Sequence, residues 1–378
     1  MVGILRRLED AGHETWCVGG AIRDALLGDL QQDMDLATSA RPEEVQRLFR
    51  RTIAVGVEHG TVGVFDEHGV LHEVTTFRRD VTTDGRHAEV EFGISLDDDL
   101  ARRDLTINAI AYHPLHHSWR DPFGGRDDLH RGVVRAVGDP ALRFREDRLR
   151  ILRAIRFAAR LDFRIDPATW SAACAQARDT VNLSAERVRD EWSKSIRTTR
   201  SLDRLVGQWL ESGVAAVWLP ELLPSASWQR SGETDVVLTT ALVCSACGPV
   251  MRRFKGSNAE IRRAEAIDRG PARPQSTAPG DVRRWMAVVG EATNDLVTLA
   301  TWRGLKEDGW IREVAGVTSR GEATSRGELA VNGDDLRTAG VAAGPAIGIA
   351  LGQLLDAVLE DPALNTREQL LALARSAV

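Results

Sequence analysis

Apolar side chains recur with two different periods along the chain. The first thirty residues read as helix, strand, turn and helix, with a strand over 15–18, a turn at Gly19-Gly20 and a helix opening over 21–27. Residues 41–50 place Pro42 at a first helical position and carry Val45, Leu48 and Phe49 on one side, as in a helix lying on a sheet. The period then shortens to two. Residues 52–57, 61–65 and 70–77 are strand-like runs separated by His59-Gly60 and His68-Gly69 turns. Residues 78–92 are polar and non-periodic, which predicts a mobile surface loop. A turn at 121–128 precedes a short strand at 133–137 that closes the front of the chain. From 144 to 164 the helical period takes over: Leu149, Leu152, Ile155 and Ala159 share an apolar face flanked by five arginines. Asp166-Pro167 and Ser184 have the chemistry of helix starts. Beyond about residue 200 the pattern is helical throughout, with a Pro/Gly linker at 270–280. The fold class predicted is an α/β head with a mixed sheet and helices, followed by an all-α neck, body and tail. The boundaries fall at 1–138, 139–200, 201–315 and 316–378.

Composition narrows the class. A chain of 378 residues can bury several cores, and no run of about 18 apolar residues occurs in it. With no N-terminal apolar segment, the expectation is a cytoplasmic protein without a membrane partner. Cys17, Cys174, Cys244 and Cys247 are too scattered for a disulfide framework. The pair Cys244 and Cys247 has no second pair to complete a zinc site, and all nine histidines lie at or before His130. The net charge of −6 argues at first against a nucleic-acid partner, but charge is segregated: residues 135–204 hold sixteen Lys plus Arg against ten Asp plus Glu. The three lysines are Lys194, Lys255 and Lys306, so a P-loop of the GxxxxGK type is excluded from the front of the chain.

Candidate chemistry is concentrated between residues 14 and 37. A glycine turn at Gly19-Gly20 between strand and helix lets backbone approach an anion, and Arg23 sits in the helix's first turns. Asp33 and Asp35 alternate with apolar Met34 and Leu36, so on a strand both carboxylates face one side and suit a hard divalent cation such as Mg²⁺. Glu73, between strand-forming neighbours, is a candidate third ligand or an exposed strand glutamate. The run LDDDLARRDLTINA at 96–109 brings Arg102, Arg103 and Asp104 together ahead of Asn108. Arginine forks onto phosphate, and a carboxylate accepts a ribose hydroxyl. His113, His116 and His117 read as a turn without a ligand role. Asp147 and Arg150, three apart, are expected to project from one side of a single helix. On residue types alone an intrahelical salt bridge, worth a few tenths of a kcal/mol, is the favoured reading.

GGAIRD followed by DMDLATSARPEEV, then RRDLTINA, then EDRLR at 146–150 and SAERV at 184–188 resemble, in order and spacing, the tRNA nucleotidyltransferase and bacterial poly(A) polymerase family of the polymerase-beta-type superfamily. Within it the chain is similar to the class II CCA-adding enzymes, and the tail from 331 to 371 resembles the family's helical tail. The resemblance implies nucleotidyl transfer from CTP and ATP to the 3′ end of tRNA, with Asp33, Asp35 and Glu73 holding two Mg²⁺ ions. It implies Gly19, Gly20 and Arg23 at the triphosphate, and Arg103, Asp104 and Asn108 at the ribose and triphosphate. Asp147 and Arg150 would select the base, supported by Glu146, while Glu186 and Arg187 brace that helix. No stable protein partner is implied. An A-adding enzyme of a split pathway, a poly(A) polymerase and a catalytically silent RNA-binding relative share much of this pattern, whereas a CC-only enzyme typically lacks a loop like 78–92.

Overall fold

The structure, a computed structural model, describes the chain outside residues 30–33, 57–59, 84–87, 225–227, 229–233, 306–307 and 377–378; for 79–83 and 88–90 it describes backbone only. Two compact units result, Met1–Pro224 and Ser225–Val378.

The first unit opens with α1 (Val2–Asp10), β1 (Thr15–Val18), α2 (Gly20–Leu26), β2 (Asp35–Thr38) and α3 (Pro42–Leu48). Strands β3 (Thr52–Gly56), β4 (Thr61–Phe65) and β5 (Leu71–Thr76) follow, then β6 (Arg78–Thr83) and β7 (Ala88–Phe92). After α4 (Leu96–Ala101) come β8 (Ala111–His113), β9 (Ser118–Arg120), α5 (Gly125–His130) and β10 (Val133–Val134). Seven strands form one sheet in the order β3-β4-β5-β2-β1-β8-β9. It is mixed: β2 and β5 run parallel, the other neighbours antiparallel. On β5 the buried face carries His72, Val74 and Thr76, and Glu73 is exposed on the other, as the period of two demands. Val18, Ala37, Phe77, Leu96, Leu100 and Ala111 share one buried cluster that seats α4 beside the sheet.

In the head, residues 78–92 differ from the pattern read in the sequence. Residues 78–92 form an antiparallel hairpin, β6 with β7, with a register shift between Asp80 and Thr82. Val81, Thr82 and Thr83 favour strand. Strand β10 stays out of the main sheet and pairs in parallel with β11 (Arg164–Ile165), tying the end of the head to the neck.

The rest of the first unit is helical: α6 (Pro140–Glu146), α7 (Leu149–Leu161), α8 (Pro167–Gln176), α9 (Ala185–Thr198), α10 (Leu202–Ser212) and α11 (Ala215–Trp218). Asp166 and Ser184 cap α8 and α9 through their side chains. Trp192 of α9 meets Trp209 of α10 edge to face at 5.0 Å, both fully buried.

The second unit runs from α12 (Val236–Val243) through α13 (Gly248–Arg253), α14 (Asn258–Arg269), α15 (Pro279–Val289), α16 (Thr293–Trp302) and α17 (Gly309–Arg320) to α18 (Gly333–Thr338), α19 (Pro345–Glu360) and α20 (Arg367–Ser376). Residues Val237–Val243 of α12 are all buried, and Arg263 of α14 ties Asp235 and Asp295 together through its guanidinium. Cys244 and Cys247 are buried and form no disulfide, and burial pushes the Cys247 thiol far up. Among the described residues no helix is long and apolar enough to cross a membrane.

Candidate active site

The glycine turn sets the floor of the site. Gly19 stands ahead of α2 with φ of 85°, and a Cβ built on it would lie 2.9 Å from Asp35 Oδ2. A side chain is therefore excluded twice, by backbone conformation and by the carboxylate it would strike. Asp35 opens β2 opposite Val18 of β1, with its side chain exposed. Leu36 of β2 is in register with Val74 of β5, which brings Asp35 and Glu73 onto adjacent positions of the open face. Asp33 lies outside the described residues.

The second wall follows α4. Ser95 caps this helix, which ends at Ala101 and releases Arg102, Arg103 and Asp104. Asp99 accepts from Arg102 (2.9 Å) and Arg103 (3.2 Å). Burial would raise the Asp99 carboxyl, but the two arginine charges hold it below the usual range. Asp104 accepts from Arg153 Nε (2.7 Å), Asn108 Nδ2 (3.0 Å) and the Leu105 N–H (2.9 Å). Burial again opposes ionisation there; the Arg153 charge and these hydrogen bonds outweigh it and lower the pKa. Asn108 Oδ1 in turn accepts from Arg23 Nη1 at 2.6 Å, and Arg23 is paired with Asp24 and stacked 4.6 Å over Phe157. Arg23 thus lines the site while its hydrogen bonds go into the wall. Gly125 keeps this corner tight: a Cβ there would stand 2.1 Å from the Thr106 carbonyl.

The third wall corrects the sequence reading. Asp147 is not inside a continuous helix. Its backbone is extended (φ −149°, ψ 108°), so α6 ends at Glu146 and α7 begins at Leu149. Its carboxylate caps the new helix through the Leu149 N–H (3.0 Å) and accepts from Arg187 Nη2 (2.8 Å). An aspartate that can bond the backbone two residues on competes with helical continuation. Arg150, in the first turn of α7, donates to Glu146 Oε2 (2.7 Å) and to the carbonyls of Arg102 (2.9 Å) and Arg143 (3.3 Å). Asp147 and Arg150 still line one cavity, each fixed by its own partners. Glu186 sits in the first turn of α9 beside Arg187, outside that lining.

These walls enclose about 670 Å³, lined by Gly19, Gly20, Asp35, Glu73, Asp104 and Asp147 among others. Nine cationic side chains face it against four acidic ones, so its field favours a polyanion. Arg78, Arg153, Arg156, Phe157 and Lys194 also line it and were not singled out in the sequence. The spacing of Arg150, Arg153 and Arg156 was a visible signal; Glu191, buried 2.6 Å from Arg156 and paired also with Arg153, was not. A larger hollow beside Trp119 and His130 carries no comparable cluster. Glu9, His113 and His116 meet elsewhere: His113 Nδ1 accepts the His116 N–H (3.2 Å), so Nε2 donates to Glu9 (2.6 Å).

Residues 15–135 match the family described as the Poly A polymerase head domain, and residues 162–225 the probable RNA and SrmB-binding site of polymerase A. The CCA-adding enzyme of Lacticaseibacillus paracasei is 36% identical over 398 residues, covering 99% of this chain and 95% of the relative. That of Geobacillus stearothermophilus is 35% identical over 390 residues, covering 98% and 95%. The crystal structure of the Bacillus stearothermophilus CCA-adding enzyme in complex with CTP, 32% identical, superposes with a TM-score of 0.79 over 100% of this chain and 96% of that one.

Proposed function

We infer the function from one premise: the chain belongs to the family of CCA-adding enzymes. It is a nucleotidyltransferase that adds C, C and A to the 3′ end of tRNA from CTP and ATP without a nucleic-acid template, releasing pyrophosphate. The observation that carries this reading is a single cationic cavity that joins the Asp35 and Glu73 carboxylates, the Arg103, Asp104 and Asn108 wall, and the Asp147 and Arg150 pair.

The family implies a divalent metal. The open space that Gly19 leaves beside the Asp35 carboxylate, with hard oxygen donors only, fits Mg²⁺. Asp33, Asp35 and Glu73 would hold it, two ions being the expected number. When bound it supplies positive charge that activates the attacking 3′-hydroxyl and stabilises the leaving pyrophosphate. The chain's own groups do the rest. Gly19, Gly20 and Arg103 receive the triphosphate, and Arg23 adds charge at that end while fixing Asn108. Asp104 has Oδ1 occupied by Asn108 and Leu105 but only Arg153 on Oδ2, which leaves an acceptor for a ribose hydroxyl.

Base choice follows from fixed donors and acceptors. Cytosine and adenine present an amino donor beside a ring-nitrogen acceptor; guanine and uracil present a carbonyl beside a ring N–H. Asp147 spends two of its four lone-pair sites on Leu149 and Arg187, and Arg150 spends three of five N–H groups on Glu146, Arg143 and Arg102. The remaining acceptor and donors match C and A and oppose G and U. Glu146 supports Arg150, and Glu186 with Arg187 braces the reader. The helical neck, body and tail at 139–200, 201–315 and 316–378 hold tRNA through backbone and shape, and the setting is cytoplasmic.

The test supplies the protein and Mg²⁺ with tRNA ending at the discriminator base, at +C and at +CC, giving each nucleotide alone and then CTP plus ATP. Two C additions followed by one A are expected. Addition of A to the +CC substrate alone would move the reading to a split pathway, long A tails to a poly(A) polymerase, and no addition to a silent RNA-binding relative.

A further inference from the structure

On the buried face of β5, where the strand period calls for an apolar side chain, stands His72, 2% exposed. A polar ring in that position costs free energy unless its nitrogens find partners. Nδ1 lies 3.3 Å from the Met34 carbonyl oxygen and Nε2 lies 3.2 Å from Asp66 Oδ2. Both partners are acceptors, so the ring satisfies both only with an N–H on each nitrogen. Asp66 is itself pinned: its Oδ1 accepts the His68 and Val70 N–H groups at 2.9 Å each, and the Met1 amino group lies 3.2 Å from Oδ2.

The Met34 carbonyl belongs to the peptide that leads into Asp35. It lies just outside the sheet ladder, since pairing of β2 with β5 begins at Leu36 and Val74, and that of β2 with β1 ends at Asp35 and Val18. A carbonyl that the ladder leaves unpaired at a strand entry needs a donor, and here the His72 ring reaches across from the neighbouring strand to within hydrogen-bond distance of it. We propose that His72, backed by Asp66, is a positioning residue for Asp35, fixing the peptide plane through which the metal-holding strand enters the sheet. Glu73, the next residue on β5, faces the cavity, so one strand would present a ligand on one side and steady the neighbouring ligand's backbone on the other. A partner behind a ligand tunes metal affinity more than it tunes the chemistry once metal is bound.

This proposal rests on the reading of Asp35 as a metal holder, so the experiment separates the two. Full-length wild type, Asp35→Ala, His72→Ile and His72→Gln are titrated with Mn²⁺ alone, followed by the electron paramagnetic resonance of the free ion, and with Mg²⁺ in C addition. Thermal melting is recorded for each. His72→Ile should raise the Mn²⁺ dissociation constant and the half-saturating Mg²⁺ concentration by about tenfold or more, with a smaller loss of rate at saturating metal. His72→Gln, which keeps an N–H donor, should recover most of that shift. A lower melting temperature and rate with unmoved metal titrations would make His72 merely structural and overturn the proposal. Unchanged Mn²⁺ binding in Asp35→Ala would instead overturn the reading beneath it. A second measurement needs no variant: ¹⁵N spectra of the wild-type histidines should show His72 Nδ1 carrying a proton, and a lone pair there would also overturn the proposal, because the ring could not then donate to Met34.

Discussion

At the scale of single residues, the roles proposed for three aspartates separate chemistry from selection. Asp35→Ala or Asp33→Ala removes a carboxylate from the metal site; loss of several kcal/mol of charge stabilisation should lower turnover by at least about a thousandfold. Nucleotide binding measured by equilibrium dialysis should persist in both variants. Asp147→Ala removes the acceptor and not the donors, so it should relax the choice of CTP and ATP over UTP and GTP by about 1–3 kcal/mol of discrimination, more than it slows CTP addition. Strict selection retained by that variant would refute base reading by Asp147. Because Arg187 holds Asp147 Oδ2 at 2.8 Å, Arg187→Ala should relax selection in the same direction by less, in competition assays with mixed nucleotides. The residue types at these positions were legible in sequence, since a carboxylate beside a guanidinium has few chemical uses. The partners that aim them were not: Arg187 is forty positions from Asp147, and Arg153 is forty-nine from Asp104.

At the scale of elements, the break between α6 and α7 is the feature that sequence periodicity could not see. Ile151 and Ile155 keep helical phase with Phe144, so the apolar pattern runs unbroken across a chain that stops being helical at Asp147. The period was right and the continuity was wrong, because one side-chain cap outcompetes one turn of helix. The strands around the glycine turn were legible almost to the residue, since β1, β4 and α3 rest on local alternation and caps. Strand β10 was legible at its place, but its partner β11, thirty residues downstream, was not. One consequence of the head-to-neck pairing is measurable through pH. Asp104 of the head is ionised against Arg153 of α7, with its pKa depressed in the folded state. Its contribution to stability is therefore complete above the ordinary value of about 3.9 and is lost as pH falls below that value through the folded one. Between about pH 5 and pH 3, urea denaturation should show a steeper loss of unfolding free energy for the wild type than for Asp104→Asn. Equal slopes would mean that the Asp104 charge is not coupled to folding.

At the scale of the whole molecule, the net charge of −6 conceals a partition. Residues 135–204 carry an excess of six positive charges, which leaves −12 on the remainder. The same arginines that create this excess, including Arg150, Arg153, Arg156 and Arg187, line the cavity where cations outnumber acids nine to four. Such an arrangement attracts RNA toward the basic segment while the acidic remainder discourages indiscriminate contact elsewhere. Binding by phosphate neutralisation releases counterions, so the logarithm of the tRNA association constant should fall linearly with the logarithm of salt concentration, with a slope near −0.7 to −0.9 for each phosphate neutralised. With several such contacts, raising salt from about 50 to about 200 mM should weaken tRNA binding by at least about tenfold. Arg153→Gln, within the basic segment, should reduce the slope, and Arg6→Gln, exposed on α1 of the head, should leave it unchanged. A salt-independent affinity, or equal effects of the two substitutions, would mean that tRNA is held by shape and hydrogen bonding spread over the chain, and that the segregation of charge serves the nucleotide alone.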